Sequence, residues 1–164
     1  MDVGVTGRQI LVRARAGVSA GSARRRYDYS GARGVAIRCR AITLRRAISN
    51  LVDNAIKYGT NATVHLAQEP ERVVITIDDD GPGIPPSQRD KVFEPFYRQE
   101  RSRNPETGGV GLGLSVARSI IWEHNGDIRL ANRREGGLHV RVDLPGPEQW
   151  IQPATELAER DVQH

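Results

Sequence analysis

Between Thr43 and Tyr58 the residues Leu44, Ala47, Ile48, Leu51, Ala55 and Tyr58 recur three and four apart. That is the period of a helix with one apolar face. Such a face has to be covered by a second layer. The chain supplies one. Val73, Ile75 and Ile77 fall on one side of a predicted strand, and Leu138, Val140, Val142 and Leu144 alternate with polar residues in another, so a sheet should pack one face on helices. Thr43 is the expected N-cap and Gly59 the expected stop of the first helix. A second amphipathic helix runs from Gly113 to about His124, carries Val116, Ala117, Ile120 and Ile121 inward, and stops at Asn125-Gly126.

Around these elements the spacing predicts a short β-hairpin of Arg26 to Ser30 and Val35 to Cys39, with Gly31 and Gly34 between its arms. Strands are also expected over Ala62 to Ala67, Arg72 to Asp79, Asp127 to Asn132 and Leu138 to Leu144. Residues 1 to 23 read as a loose arm or one edge strand, residues 101 to 109 as a polar loop, and the chain after Pro145 as a frayed tail. The expected division is an N-terminal arm at 1–26, one domain at 27–145 and a tail at 146–164.

A length of 164 residues suits a single core. No stretch nears the roughly 20 apolar residues of a membrane helix, and the start lacks a signal-peptide core, so a cytoplasmic location is expected. The lone Cys39 can form neither an internal disulfide nor a multi-cysteine metal site. The net charge of +4, carried by 22 Arg and 2 Lys against 20 acidic residues, first suggests nucleic acid. The charge is divided, however: residues 1–46 hold 11 basic and 2 acidic side chains, net +9, and the remainder 13 and 18, net −5. The basic arm is therefore read as solvated, and nucleic acid is not the expected partner.

Three constellations carry chemistry. Asn50, Asn54 and Lys57 lie within about 60° of helical arc, away from the apolar face. Carboxamide oxygens suit Mg²⁺ that shares its other positions with phosphate, and a Lys neutralises phosphate charge; alone, the same residues also suit a solvated face. Asp79-Asp80-Gly81-Pro82-Gly83-Ile84 ends an apolar strand, where a carboxylate can accept from the exocyclic amine of adenine or simply belong to an acidic turn. Gly108-Gly109-Val110-Gly111-Leu112-Gly113-Leu114 opens a helix with bare backbone N–H groups, a place for an anion such as phosphate. It lacks the Lys-Ser/Thr of a P-loop and the preceding strand of a dinucleotide-binding fold.

In this order and spacing the three resemble the N, G1 and G2 boxes of sensor histidine kinases, with Leu44 to Gly59 as the N box. Val92-Phe93-Glu94-Pro95-Phe96-Tyr97-Arg98 resembles the intervening F box. The resemblance covers roughly residues 27 to 145 and extends to the ATPases of type II topoisomerases, mismatch-repair proteins and heat-shock chaperones. It implies a Bergerat ATP-binding fold: an α/β (α+β) two-layer sandwich whose mixed, largely antiparallel sheet packs on about three helices.

By position, the resemblance makes Asn54 with Asn50 the Mg²⁺ ligands, turns Lys57 and Tyr58 toward the phosphates of ATP, and makes Asp79 the adenine reader. Gly81, Gly83 and Ile84 shape the base pocket. Residues 99 to 108 form a lid, and Gly109, Gly111 and Gly113 cradle phosphate within a binding segment that includes Thr107, Gly108, Val110, Leu112 and Leu114. Arg98 is a further phosphate contact, and the rings of Phe93 and Phe96 anchor the lid in the core.

The hydrolytic members of the wider family carry Glu where Asn50 stands, and a carboxamide cannot take a proton from water. The resemblance thus implies transfer of the γ-phosphate to a histidine on a separate dimerisation (histidine phosphotransfer) domain, and thence to a response regulator. Asn50, Lys57 and Arg98 are the expected catalytic residues. His65, His124, His139 and His164 lack the His-Glu-Leu-Arg setting of an acceptor, so the chain is expected to bind ATP without phosphorylating itself in the usual way. Any membrane link would run through other parts of a receptor. The alternative is a regulatory module that holds ATP without turnover.

Overall fold

The computed structural model describes residues 4–6, 26–32, 35–97 and 111–146. Period-two alternation builds its main sheet. In β4 (Asn61–Gln68) the side chains of Ala62, Val64 and Leu66 are buried between exposed neighbours. In β5 (Arg72–Asp79) Val73, Ile75 and Ile77 are buried on the same side. With β2 (Arg26–Gly31), β6 (Asp127–Asn132) and β7 (Leu138–Pro145) they form a five-stranded sheet in the order β2-β4-β5-β7-β6. β2 runs parallel to β4, and the other neighbours are antiparallel. Val64, Ile77, Val140 and Leu130 form one row across the sheet, and Leu66, Ile75, Val142 and Ile128 the next.

Two α-helices cover these rows, α1 (Ala41–Tyr58) and α2 (Gly113–Glu123), with 3-10 turns at Pro86–Gln88 and Lys91–Phe93. Leu44, Ile48 and Leu51 of α1 and Ile121 of α2 are at most 1% exposed, and burial of each contributes about 2 kcal/mol. The expected mixed two-layer sandwich is the architecture found. Its other sheet face carries polar pairs: Asp78 with His139, and Asp143 with Arg141 and Arg72.

Three local expectations need correction. No hairpin joins β2 to β3 (Ala36–Arg38); β3 pairs antiparallel with β1 (Gly4–Thr6), whereas β2 lies along β4. Gly31 shows why: at φ 131° a Cβ there would stand 2.2 Å from the Leu66 carbonyl oxygen, and the Ala32 N–H donates to that oxygen at 2.8 Å. The glycine serves close approach to β4, not reversal. Of the arm or edge strand expected over residues 1 to 23, only Gly4–Thr6 lies among the described residues.

The α1 boundary is likewise set from outside the helix. The N-cap is Arg40, not Thr43, whose hydroxyl lies inside the helix and donates to the Arg40 carbonyl at 2.9 Å. The Arg40 N–H donates to His124 Nε2 at 3.0 Å, and its guanidinium pairs with Glu123, so the end of α2 holds the start of α1. Nδ1 of His124 donates to the Ile120 carbonyl, a structural role. Tyr58, expected on the apolar face, is 46% exposed, and Val52 and Ile56 are buried in that layer.

Candidate functional site

Alternation along β5 separates three consecutive aspartates. Asp78 faces the side of the sheet away from the helices and pairs with His139 at 2.6 Å. Asp79 continues the line of Val73, Ile75 and Ile77 and so ends the strand on the helix side, only 5% exposed. Asp80 turns to the loop after α1, where Oδ1 accepts from the N–H groups of Thr60 and Asn61 and Oδ2 from the Asn61 amide. Those bonds lower the Asp80 pKa. Gly59 ends α1 with its N–H on the Ala55 carbonyl, and a Cβ there would stand 2.8 Å from Asp80 Oδ1.

Asp79 is held on one oxygen only. Oδ1 accepts from the N–H of Gly81 at 2.9 Å and of Leu138 at 3.0 Å; among the described residues no donor reaches Oδ2. Burial raises the pKa of this carboxyl, and the two backbone N–H groups oppose that rise. A buried carboxylate with one oxygen fixed and the other open accepts a hydrogen bond from an outside amine. Gly81 fits beside it because its Cα lies against the end of α1: a Cβ would stand 2.8 Å from the Tyr58 carbonyl.

The turn between β6 and β7 supplies residues that the sequence reading passed over. Gly137, at φ 99°, brings the backbone so close that a Cβ would stand 1.8 Å from the Asp79 carbonyl oxygen, and Arg133 donates to that same oxygen at 2.8 Å. Asn132 clasps Ile84: its Oδ1 accepts from the Ile84 N–H at 2.9 Å and its Nδ2 donates to the Ile84 carbonyl at 3.0 Å. Gly83, at φ 69°, leaves room for that amide, since a Cβ would meet Asn132 Oδ1 at 2.8 Å. The pair Gly136-Gly137 was the available signal, and it reads equally well as ordinary turn chemistry.

The other wall is made where α1 meets the start of α2. Asn50 Nδ2 donates to the Gly113 carbonyl at 3.3 Å, and a Cβ on Gly113 would lie 3.6 Å from the Asn54 amide. Both carboxamides are half-buried, and no described residue bonds that of Asn54. Lys57 Nζ lies 5.1 Å from the Tyr58 ring. Leu112 is the N-cap residue of α2, Leu114 packs on the core, and Gly111 takes φ 78°. Asn50, Asn54 and Lys57 thus share one side of α1, with the opening of α2 against Asn50 and Asn54. Asp79 and Gly81 sit at its C-terminal end.

Arg98, Thr107, Gly108, Gly109 and Val110 lie outside the described residues. The chain on either side of 98–110 is tied together, because the Phe96 N–H donates to the Gly111 carbonyl at 3.2 Å. Phe93 is buried, as expected. Phe96 is not: it is 69% exposed at φ 66°, a backbone that turns its ring away from the core. The Arg118 guanidinium lies over both Phe93, at 4.6 Å, and Trp122, at 4.8 Å. Among the described residues no helix is long and apolar enough to cross a membrane.

Residues 39–148 match the family described as histidine kinase-, DNA gyrase B-, and HSP90-like ATPase. The chain is 48% identical over 104 residues to sensor histidine kinase GtrS of Pseudomonas aeruginosa, a match covering 63% of this chain and 21% of GtrS. It is 40% identical over 103 residues to sensor histidine kinase CpxA of Escherichia coli, covering 62% and 22%. The chain therefore spans about a fifth of the length of these curated relatives. Among solved structures, a mycobacterial sensor histidine kinase, MprB, superposes with a TM-score of 0.76 at 27% identity, over 89% of this chain and 98% of that one.

Proposed function

Because this chain belongs to the histidine kinase-, DNA gyrase B-, and HSP90-like ATPase family, we propose that it is the ATP-binding catalytic domain of a sensor histidine kinase. In this reading residues 27–145 bind Mg-ATP and pass the γ-phosphate to a histidine on a separate dimerisation domain, which serves a response regulator. The observation that carries it is the meeting of Asn50 and Asn54 with Gly113 at the opening of α2, beside relatives that are sensor histidine kinases.

The residues divide the nucleotide between them. Asp79 Oδ2 accepts from the adenine amine while Gly81, Gly83 and Ile84 line the base. Lys57 and Tyr58, at the end of α1, face phosphate. Backbone N–H groups at Gly111, Leu112, Gly113 and Leu114 hold phosphate oxygens, and Thr107, Gly108, Gly109, Val110 and Arg98 extend that set.

Magnesium fits the donor chemistry. Asn50 Nδ2 is tied to Gly113, which leaves its Oδ1, with the Asn54 carboxamide, as an oxygen donor. Among the described residues no group of three His, Cys, Asp or Glu side chains could build an all-protein cage, and Mg²⁺ shares its positions with water and phosphate. When bound, the ion neutralises charge on the phosphates. Asn50 offers no base for water, which favours transfer over hydrolysis.

The test is binding of a fluorescent ATP analogue to the purified chain with Mg²⁺, alongside phosphate release. Binding with negligible release is expected. Absence of binding would overturn the reading, and turnover comparable with a hydrolase would refute the argument from Asn50.

A further inference from the structure

We propose that Asn132 is a positioning residue for base selection, acting through Ile84 and the loop that follows Asp79; the inference rests on the reading of Asp79 as the acceptor of the adenine amine. Both sides of the base site hang on one hairpin. Its far end, at Leu138, donates to Asp79 Oδ1, and its near end, at Asn132, holds the Ile84 backbone through two hydrogen bonds. Between them Arg133 donates to the Asp79 carbonyl.

A single residue that both accepts from and donates to one backbone unit fixes that unit in distance and in orientation. Ile84 is 8% exposed, so its N–H and carbonyl have little water to replace Asn132. Gly83 has no side chain where Asn132 enters. The spacing of the loop from Asp79 is thus set by the length of the Asn132 side chain. That spacing decides whether the amine of a bound purine meets Oδ2.

Loss of the clasp is expected to weaken discrimination between bases more than affinity for phosphate. ATP and inosine triphosphate share ribose and phosphates and differ at the atom facing Asp79, an amine donor in one and a carbonyl acceptor in the other. Affinities of both are measured by competition against a fluorescent ATP analogue for the unaltered chain, Asn132→Ala and Asn132→Ser, the serine keeping a shorter acceptor. We expect the ratio of ATP to inosine triphosphate affinity to fall by about fivefold or more in Asn132→Ala, the size of one or two hydrogen bonds, and by less in Asn132→Ser. Where the alanine variant does not fold, the serine variant carries the comparison, and an unchanged ratio in it overturns the proposal. An unchanged ratio with both affinities lowered in parallel makes Asn132 structural only and also overturns it. Failure of the unaltered chain to prefer ATP at all defeats the Asp79 reading, and the inference with it.

Discussion

Gly137 lies with its bare Cα against the carbonyl of Asp79, so close that a Cβ would stand 1.8 Å from that oxygen. This contact lets the next N–H, that of Leu138, reach the Asp79 carboxylate. The residue that would read the base is therefore positioned from a turn nearly sixty residues downstream.

Gly137→Ala is expected to cost upwards of about 3 kcal/mol, because it adds a backbone clash to a strained positive φ. Gly136→Ala provides the comparison: its φ is 94°, but nothing lies within 4 Å of its Cβ position, so only the conformational cost of about 1 kcal/mol applies. Denaturant unfolding of the two variants measures the difference. Equal losses would count against the contact with Asp79.

Asp79→Asn is expected to abolish binding of adenine nucleotide while leaving the fold intact. The Asn oxygen can still accept from Gly81 and Leu138, but its amide then presents a donor where the open carboxylate oxygen was. Unchanged affinity for a fluorescent ATP analogue would defeat the assignment.

Asn54→Ala is expected to weaken binding in the presence of Mg²⁺ more than binding in EDTA, since its carboxamide has no described partner and is free to serve the ion. Titration of a nucleotide analogue under both conditions decides it. Losses of equal size would remove the metal role.

Acid should separate the aspartates. Burial raises the Asp79 pKa above its unfolded value, so its protonation favours the fold, adding stability as pH falls through the folded value. The same protonation replaces the open acceptor by a donor. Adenine affinity is therefore expected to decline at a higher pH than an ordinary aspartate would cause. Asp143, whose pKa the Arg141 guanidinium lowers, behaves oppositely: its stabilising contribution is present above the unfolded value and is lost as pH falls through the lower folded value. Binding and unfolding curves across acidic pH test both signs. Affinity that tracks unfolding throughout would contradict the role of Asp79.

Much of the helix-covered sheet could be read from periodicity. The strand Arg72–Asp79 and the helix end at Tyr58 stand where the spacing places them, because burial on one face leaves a direct mark on residue order. The start of α1 could not be read this way, since Arg40 is held by Glu123 and His124 across the fold. Nor could the partner of β2, since glycine spacing does not distinguish a turn from close contact with another strand.

Residue order alone puts Asn50, Asn54 and Lys57 on one helix face and points Asp79 to the same side as Val73, Ile75 and Ile77. Both follow from local repeats of 3.6 and 2 residues. Contacts across the fold, by contrast, have Asp80 close the loop after α1, Asn132 clasp Ile84, and Leu138, beside the bare Gly137, bond one oxygen of Asp79. These are hydrogen bonds to backbone groups far away in the chain. Every residue but proline carries the same backbone N–H, so nothing in residue order marks which of them a side chain will find.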